Sequence, residues 1–316
     1  MNNLPPVALG TWSWGSGFAG GDQVFGNHLD VDSLRPVFEL AVQKGLVLWD
    51  TAAVYGMGSS ESILGELAKT LPRQQLILST KFTPQLVSPD VDNPVAALFE
   101  QSCQRLGSEI IDLYWIHNPT RLNEWTHHLL PLLQSGRIKR VGVSNHNLAE
   151  IKLVDSTLRQ TGFAISAVQN HYSLLYRSSE DAGILDYCRE NNITFFSYMV
   201  LEQGALSGKY SASHPLPAGS GRAASYNSVL PQLEALSNAM REIGAGKNAS
   251  VAQIAIAWAI AKGTLPIIGV TRLAHVEDAA AAILLQLSPE EIQHLEAQAA
   301  QADVDTRGAW EKPMHA

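Results

Sequence analysis

A chain of 316 residues with 46% hydrophobic and 16% charged residues buries a large core, which excludes a disordered or fibrous protein. Its formal net charge of -8, with no block of like charges, argues against a nucleic-acid or anionic-membrane surface and for a small-molecule partner. No window approaches the ~18 apolar residues of a membrane span, and the opening MNNLPPVALG has neither a basic nor an apolar leader region, so a cytoplasmic location is expected.

The first apolar run, VAL (7–9), leads into GSGFAG (15–20), a literal G-x-G-x-x-G of the kind that cradles a dinucleotide phosphate. Such a loop must pass straight into a helix whose N-terminus meets the pyrophosphate. Here the text continues as GDQVFGNHLD, and the first helix is expected only from Asp32. Asp50, which mimics the ribose ligand of that motif, lies about 30 residues past the last glycine instead of ~20. GSGFAG therefore reads as a flexible glycine-rich loop.

Further strand-like runs follow at 46–49 (LVLW), 76–80 (LILST), 110–116 (IIDLYWI), 141–143 (VGV), 167–168 (AV), 194–197 (TFFS) and 265–270 (LPIIGV). Helix-like stretches lie between them, including 59–71, 93–107, 147–162 and 250–263, opened by Asn, Ser or Pro and often closed by Gly. The cycle repeats every ~30 residues, the size of a βα unit. The runs are apolar on both faces, as buried parallel strands are, and no linker splits the chain. An α/β (β/α)8 TIM barrel over 1–316 is expected, one domain with extra helices and long loops at the C-terminal face. A doubly wound sheet is the alternative. Cys103 and Cys188 fall in helix-like stretches and read as reduced core thiols, with no metal site.

Each run ends on a polar or ionisable residue: Thr11, Asp50, Lys81, His117, Ser144 with Asn145, Gln169, Tyr198 and Thr271. In a closed parallel barrel these ends converge on one face. Tyr55, just after Asp50, would share that face with Lys81 and His117. A phenol of pKa ~10 is lowered by a neighbouring ammonium, and Asp50 would hold that ammonium charged. His117 would donate to a substrate oxygen. His127 and His128 have no strand-end placement and read as surface residues. A Schiff-base lyase using Lys81 as nucleophile is a rival reading.

DTAAVYGMGSSE (50–61) fits D-x-A-x-x-Y-G-x-G-x-S-E throughout, and with the quartet and its spacings the chain resembles the aldo-keto reductases, NAD(P)H-dependent barrel enzymes. That resemblance implies Asp50, Tyr55, Lys81 and His117 as a catalytic tetrad. Tyr55 would protonate an aldehyde or ketone carbonyl as hydride arrives from nicotinamide C4. VGVSN resembles the segment whose Ser144 and Asn145, joined by Gln169, face the nicotinamide carboxamide. SYMVLEQGALSGKY (197–210) is similar to Y-S-P-L-A-x-G-x-x-x-G-K-Y, which implies Tyr198 on the nicotinamide ring and Leu201, Gln203, Gly204, Ser207 and Lys209 near the pyrophosphate. Thr11 and Trp12 join the cofactor set from the first strand end. Met199 and Val200 replace the usual Ser-Pro, and Glu202 is an unexpected charge beside phosphates.

Within IIGVTRLAHVEDAAAA (267–282), Gly269, Thr271, Arg272, His275 and Asp278 resemble positions around adenine and the 2′-phosphate, where Arg272 would favour NADPH over NADH. Arg222, in the long loop SASHPLPAGSGRAASYN, reads either as a second cation folded over the cofactor or as a solvated loop residue. Trp12, Trp14, Phe25, Trp115, Asn118 and Trp310 are expected to wall the substrate pocket. The alternative on the same barrel is a nicotinamide-holding regulatory sensor with little turnover.

Overall fold

Eight short parallel strands close on themselves in chain order: β1 (Ala8–Gly10), β2 (Leu48–Asp50), β3 (Ile77–Phe82), β4 (Leu113–Ile116), β5 (Val141–Ser144), β6 (Ala167–His171), β7 (Thr194–Tyr198) and β8 (Leu265–Gly269). The last pairs with the first, Leu9 lying opposite Ile268, which excludes the doubly wound sheet. The structure, a computed structural model, describes residues 4–88 and 90–315. The expected helices are present as Ser59–Ala68, Pro94–Leu106, Leu148–Arg159 and Val251–Ala261. Capping boxes Asn147/Glu150 and Ser250/Gln253 fix where the last two begin. No described helix is long and apolar enough to cross a membrane, and both cysteines are buried free thiols.

The strands bury two separate cores because alternate residues point to opposite faces. Trp49, Leu78, Tyr114, Val143, Val168 and Phe195 face out and pack under the helices. Ala8, Leu48, Leu113, Trp115, Ala167, Phe196 and Leu265 fill the barrel interior. Gly142 makes room for the interior: a Cβ there would lie 2.4 Å from the Trp115 ring. This alternation also aims the site. Counting two residues on from each interior residue gives Asp50 from Leu48, His117 from Trp115, Gln169 from Ala167 and Tyr198 from Phe196. The polar strand ends therefore continue the inward face to the C-terminal mouth.

One expected boundary is wrong. A five-residue helix, Gly21–Phe25, follows GSGFAG directly, well before the helix Val31–Gln43. One turn carries too little periodicity to be legible in sequence. The loop is nevertheless occupied from within: the Gly17 amide donates to both carboxylate oxygens of Asp22, at 3.0 and 3.2 Å. Its far side docks on the segment after β2, where Ser59 Oγ donates to the Ser16 carbonyl at 2.9 Å and accepts from the Ser16 amide at 3.0 Å. Gly56 permits that approach. Its φ is 56°, and a Cβ would meet the Ser16 oxygen at 2.6 Å.

Candidate active site

Lys81 is fully buried at the end of β3. Its ammonium donates to Asp50 Oδ1 at 2.5 Å, to the Thr51 carbonyl at 2.8 Å and to the Tyr55 hydroxyl at 3.4 Å. Asp50 Oδ2 is held in turn by Ser79 Oγ at 2.7 Å and Gln169 Nε2 at 3.1 Å, and Trp115 Nε1 donates to the same Ser79 hydroxyl at 2.7 Å. A chain of hydrogen bonds thus fixes the pair from the barrel interior upward. Tyr55 opens a helical turn beyond β2 whose Gly56 and Met57 take left-handed angles, which swings the ring back over the mouth. His117 stands edge-on to that ring at 6.1 Å. The structure therefore brings Asp50, Tyr55, Lys81 and His117 together.

Their electrostatics differ from the expectation at one point. Tyr55 opens on the cavity but is otherwise enclosed by protein, and that desolvation outweighs the Lys81 ammonium, so the phenol is raised above its usual value rather than lowered. Burial also opposes the charge on Lys81, yet Asp50 leaves it raised and charged. His117 is held well below its usual value by burial and by Lys81. It stays neutral, with Nδ1 set against the Thr83 hydroxyl at 2.9 Å. Thr83 and Gln85 were not anticipated at this mouth. Both share the alternation of Lys81, which is the signal that finds them.

A cavity of about 960 Å³ runs from this group across the barrel mouth. Every cofactor position implied by the resemblance lines it: Thr11, Trp12, Asp50, Ser144, Asn145, Gln169, Tyr198, Leu201, Gln203, Gly204, Ser207, Lys209, Arg222, Gly269, Thr271, Arg272, His275 and Asp278. Asn145, Met199, Glu202 and Gln203 all have positive φ, a concentration of backbone strain at the ends of β5 and β7. Arg222 sits on the wall, 5.8 Å over Phe25 and 5.6 Å over Tyr210, with Nη1 on the Gln203 carbonyl at 3.3 Å. Its Nε and Gln203 Oε1 are buried without a partner. At the far end Arg272 is exposed and donates to His275 Nε2 at 3.0 Å, while Thr271 N–H donates to His275 Nδ1 at 3.2 Å. A neutral imidazole accepts at only one nitrogen. One of these donors is therefore poorly matched.

Several expectations are corrected. Trp12, Phe25, Asn118 and Trp310 line the cavity, but Trp14 and Trp115 do not. Trp14 is buried on Trp49 with its indole on the Val270 carbonyl, and Trp115 plugs the barrel interior beside Phe196. His127 is exposed as expected; His128 is half-buried against Trp125. The charge of Glu202 does not face the cavity. It is fully buried and turned inward, accepting from His171 Nε2 at 3.0 Å, Tyr226 at 2.6 Å, Thr306 at 3.0 Å and Ser173.

Residues 6–300 match the model of the Aldo/keto reductase family. The chain belongs to that family. It is an oxidoreductase similar to the chloroplastic pyridoxal reductase of Arabidopsis thaliana, at 33% identity over 93% of this chain and 83% of that protein. It is also similar to the Schizosaccharomyces pombe aldo-keto reductase yakc [NADP(+)], at 28% over 83% and 81%. Among solved structures, the glycerol dehydrogenase of Gluconobacter oxydans superposes with a TM-score of 0.79 at 25% identity, covering 95% of this chain and 93% of that one. An aldo/keto reductase of Klebsiella pneumoniae in complex with NADP and acetate gives 0.71 at 25% identity, over 93% and 91%.

Proposed function

We propose that this aldo-keto reductase reduces aldehyde or ketone carbonyls to alcohols with NADPH, and that Tyr55 is the general acid. The observation that carries the reading is the Tyr55 hydroxyl on the cavity wall, 3.4 Å from an ammonium held charged by Asp50. The residues fit such a cofactor. The cavity lies near the top of the ~300–1,000 Å³ range of ligand pockets, and it carries Ser144, Asn145 and Gln169 at one end with Lys209, Arg222 and Arg272 at the other. A phosphate would give the unpartnered Arg222 Nε an acceptor.

When bound, the cofactor supplies the hydride. The chain's own groups then meet the charge that grows on the carbonyl oxygen. Tyr55, kept protonated by burial, gives its proton to an alkoxide, a much stronger base than phenolate. Lys81 stabilises the phenolate left behind, and neutral His117 orients the oxygen without adding charge. Trp12, stacked on Tyr55 at 6.0 Å, and Phe25, edge-on to Trp12 at 5.4 Å, keep water from that oxygen.

The test is turnover of NADPH against a panel of aldehydes that includes pyridoxal, chosen because a relative is named for it. Tyr55→Phe is expected to lose about a hundredfold or more in kcat while NADPH binding is retained. Near-normal turnover in that variant would refute the assignment. Binding without turnover in the natural protein would favour a sensor, and borohydride trapping of substrate on Lys81 a lyase.

A further inference from the structure

The Tyr198 hydroxyl lies 2.6 Å from two acceptors, Asn145 Oδ1 and Glu311 Oε1. A phenol has one proton. The Asn145 amide cannot turn to supply another, because its Nδ2 already donates to the His117 carbonyl at 2.9 Å. Glu311 belongs to the C-terminal tail, and its other oxygen is held at 3.0 Å by Nδ1 of the buried His171. The tail is anchored beyond it by buried Met314 and by an ion pair of Lys312 with Glu150. Before it comes Trp310, edge-on to Trp12 at 5.5 Å.

We propose that Glu311 is a positioning residue that couples the tail to the nicotinamide end of the cavity by competing with Asn145 for the single proton of Tyr198. The inference rests on the reading that the cavity takes NADPH with Asn145 at the carboxamide. A carboxamide N–H that engages Asn145 Oδ1 makes that oxygen a weaker acceptor for Tyr198 and shifts the phenol proton toward Glu311. The tail is then held more firmly on Tyr198, with Trp310 on the cavity wall it already lines, so cofactor binding steadies the pocket. Linkage makes the effect reciprocal: the tail tightens cofactor binding by the factor by which the cofactor steadies the tail.

The test reads hydrogen exchange of the segment 303–315 with and without NADP+, beside the NADP+ dissociation constant from tryptophan quenching. In the natural protein NADP+ is expected to slow exchange of the tail about tenfold, a usual size for coupling between two sites. Glu311→Ala is expected to abolish that response and weaken NADP+ binding by a similar factor. Tyr198→Phe keeps the ring and the Glu311–His171 contact, and it is expected to abolish the response while the tail stays docked. If Glu311→Ala fails to fold, Tyr198→Phe decides alone. A tail that slows equally in Tyr198→Phe, or an unchanged dissociation constant in Glu311→Ala, overturns the proposal. Absence of any NADP+ binding by the natural protein overturns the reading beneath it as well.

Discussion

His171 has no exposed surface, yet it lies between two carboxylates, Glu202 at Nε2 and Glu311 at Nδ1, each at 3.0 Å. Burial alone would discharge it, but the two glutamates overcome that and raise its pKa to about 9 from the ordinary 6.5. A raised pKa stabilises the fold fully below the unfolded value of about 6.5 and less as pH climbs through about 9, by about 3 kcal/mol in all. His171→Asn is therefore expected to cost stability at pH 6, and the gap from the natural protein should narrow by pH 9.5 in denaturant titrations. A gap of equal size at both pH values would mean that the imidazole is neutral. The direction His171 points was readable from Gln169 two positions earlier on the same strand. Its partner Glu311, 140 residues away in the chain, was not, because tail docking leaves no periodic mark.

GSGFAG shows what an element adds to its letters. The motif spacing, the preceding strand and even a following helix are all present, so the presence of a helix after the glycines does not distinguish this loop from one that holds a phosphate. What separates it from a phosphate loop is the Asp22 carboxylate on the Gly17 amide, which supplies the anion internally, and the Ser16–Ser59 contact, which makes the loop a buttress for the turn carrying Tyr55. Asp22→Ala is expected to lower stability by about 1 kcal/mol through the lost charged hydrogen bonds and to leave NADPH affinity within about twofold. A tenfold loss of affinity would return the loop to a nucleotide role. Strand ends were legible because polar residues interrupt apolar runs at every cycle. Trp115 was misplaced because it shares the inward face of His117 but lies two residues deeper, where its ring plugs the barrel, and Trp14 because it lies in the loop beyond β1, where strand alternation no longer gives a direction.

Across the whole molecule the charge is negative, -8 in sum, while one end of the cavity gathers Lys209, Arg222 and Arg272. A cationic pocket on an anionic body draws a polyanionic ligand to one place and discourages it elsewhere. The three cations come from separate segments, the loop after β7, the helix Gly221–Tyr226 and the residues after β8, so only barrel closure makes the pocket. Their roles divide by exposure. Arg222 is partly covered and stacked between two rings, whereas Arg272 is exposed at the rim, with His275 held down to about 4 by burial and by Arg272 itself. That imidazole is uncharged at neutral pH, so the positive charge at this rim is carried by Arg272, the proposed partner of a 2′-phosphate. Arg272→Ala is expected to weaken NADPH about tenfold, roughly 1.4 kcal/mol, and NADH less than twofold. Because the site is exposed, the NADPH advantage of the natural protein should shrink as salt rises from 0.01 to about 0.15 M and the Debye length falls to about 8 Å. Parallel NADPH and NADH titrations across that range check both. An equal loss for the two cofactors would place the 2′-phosphate elsewhere, with Lys209 the next cation to replace.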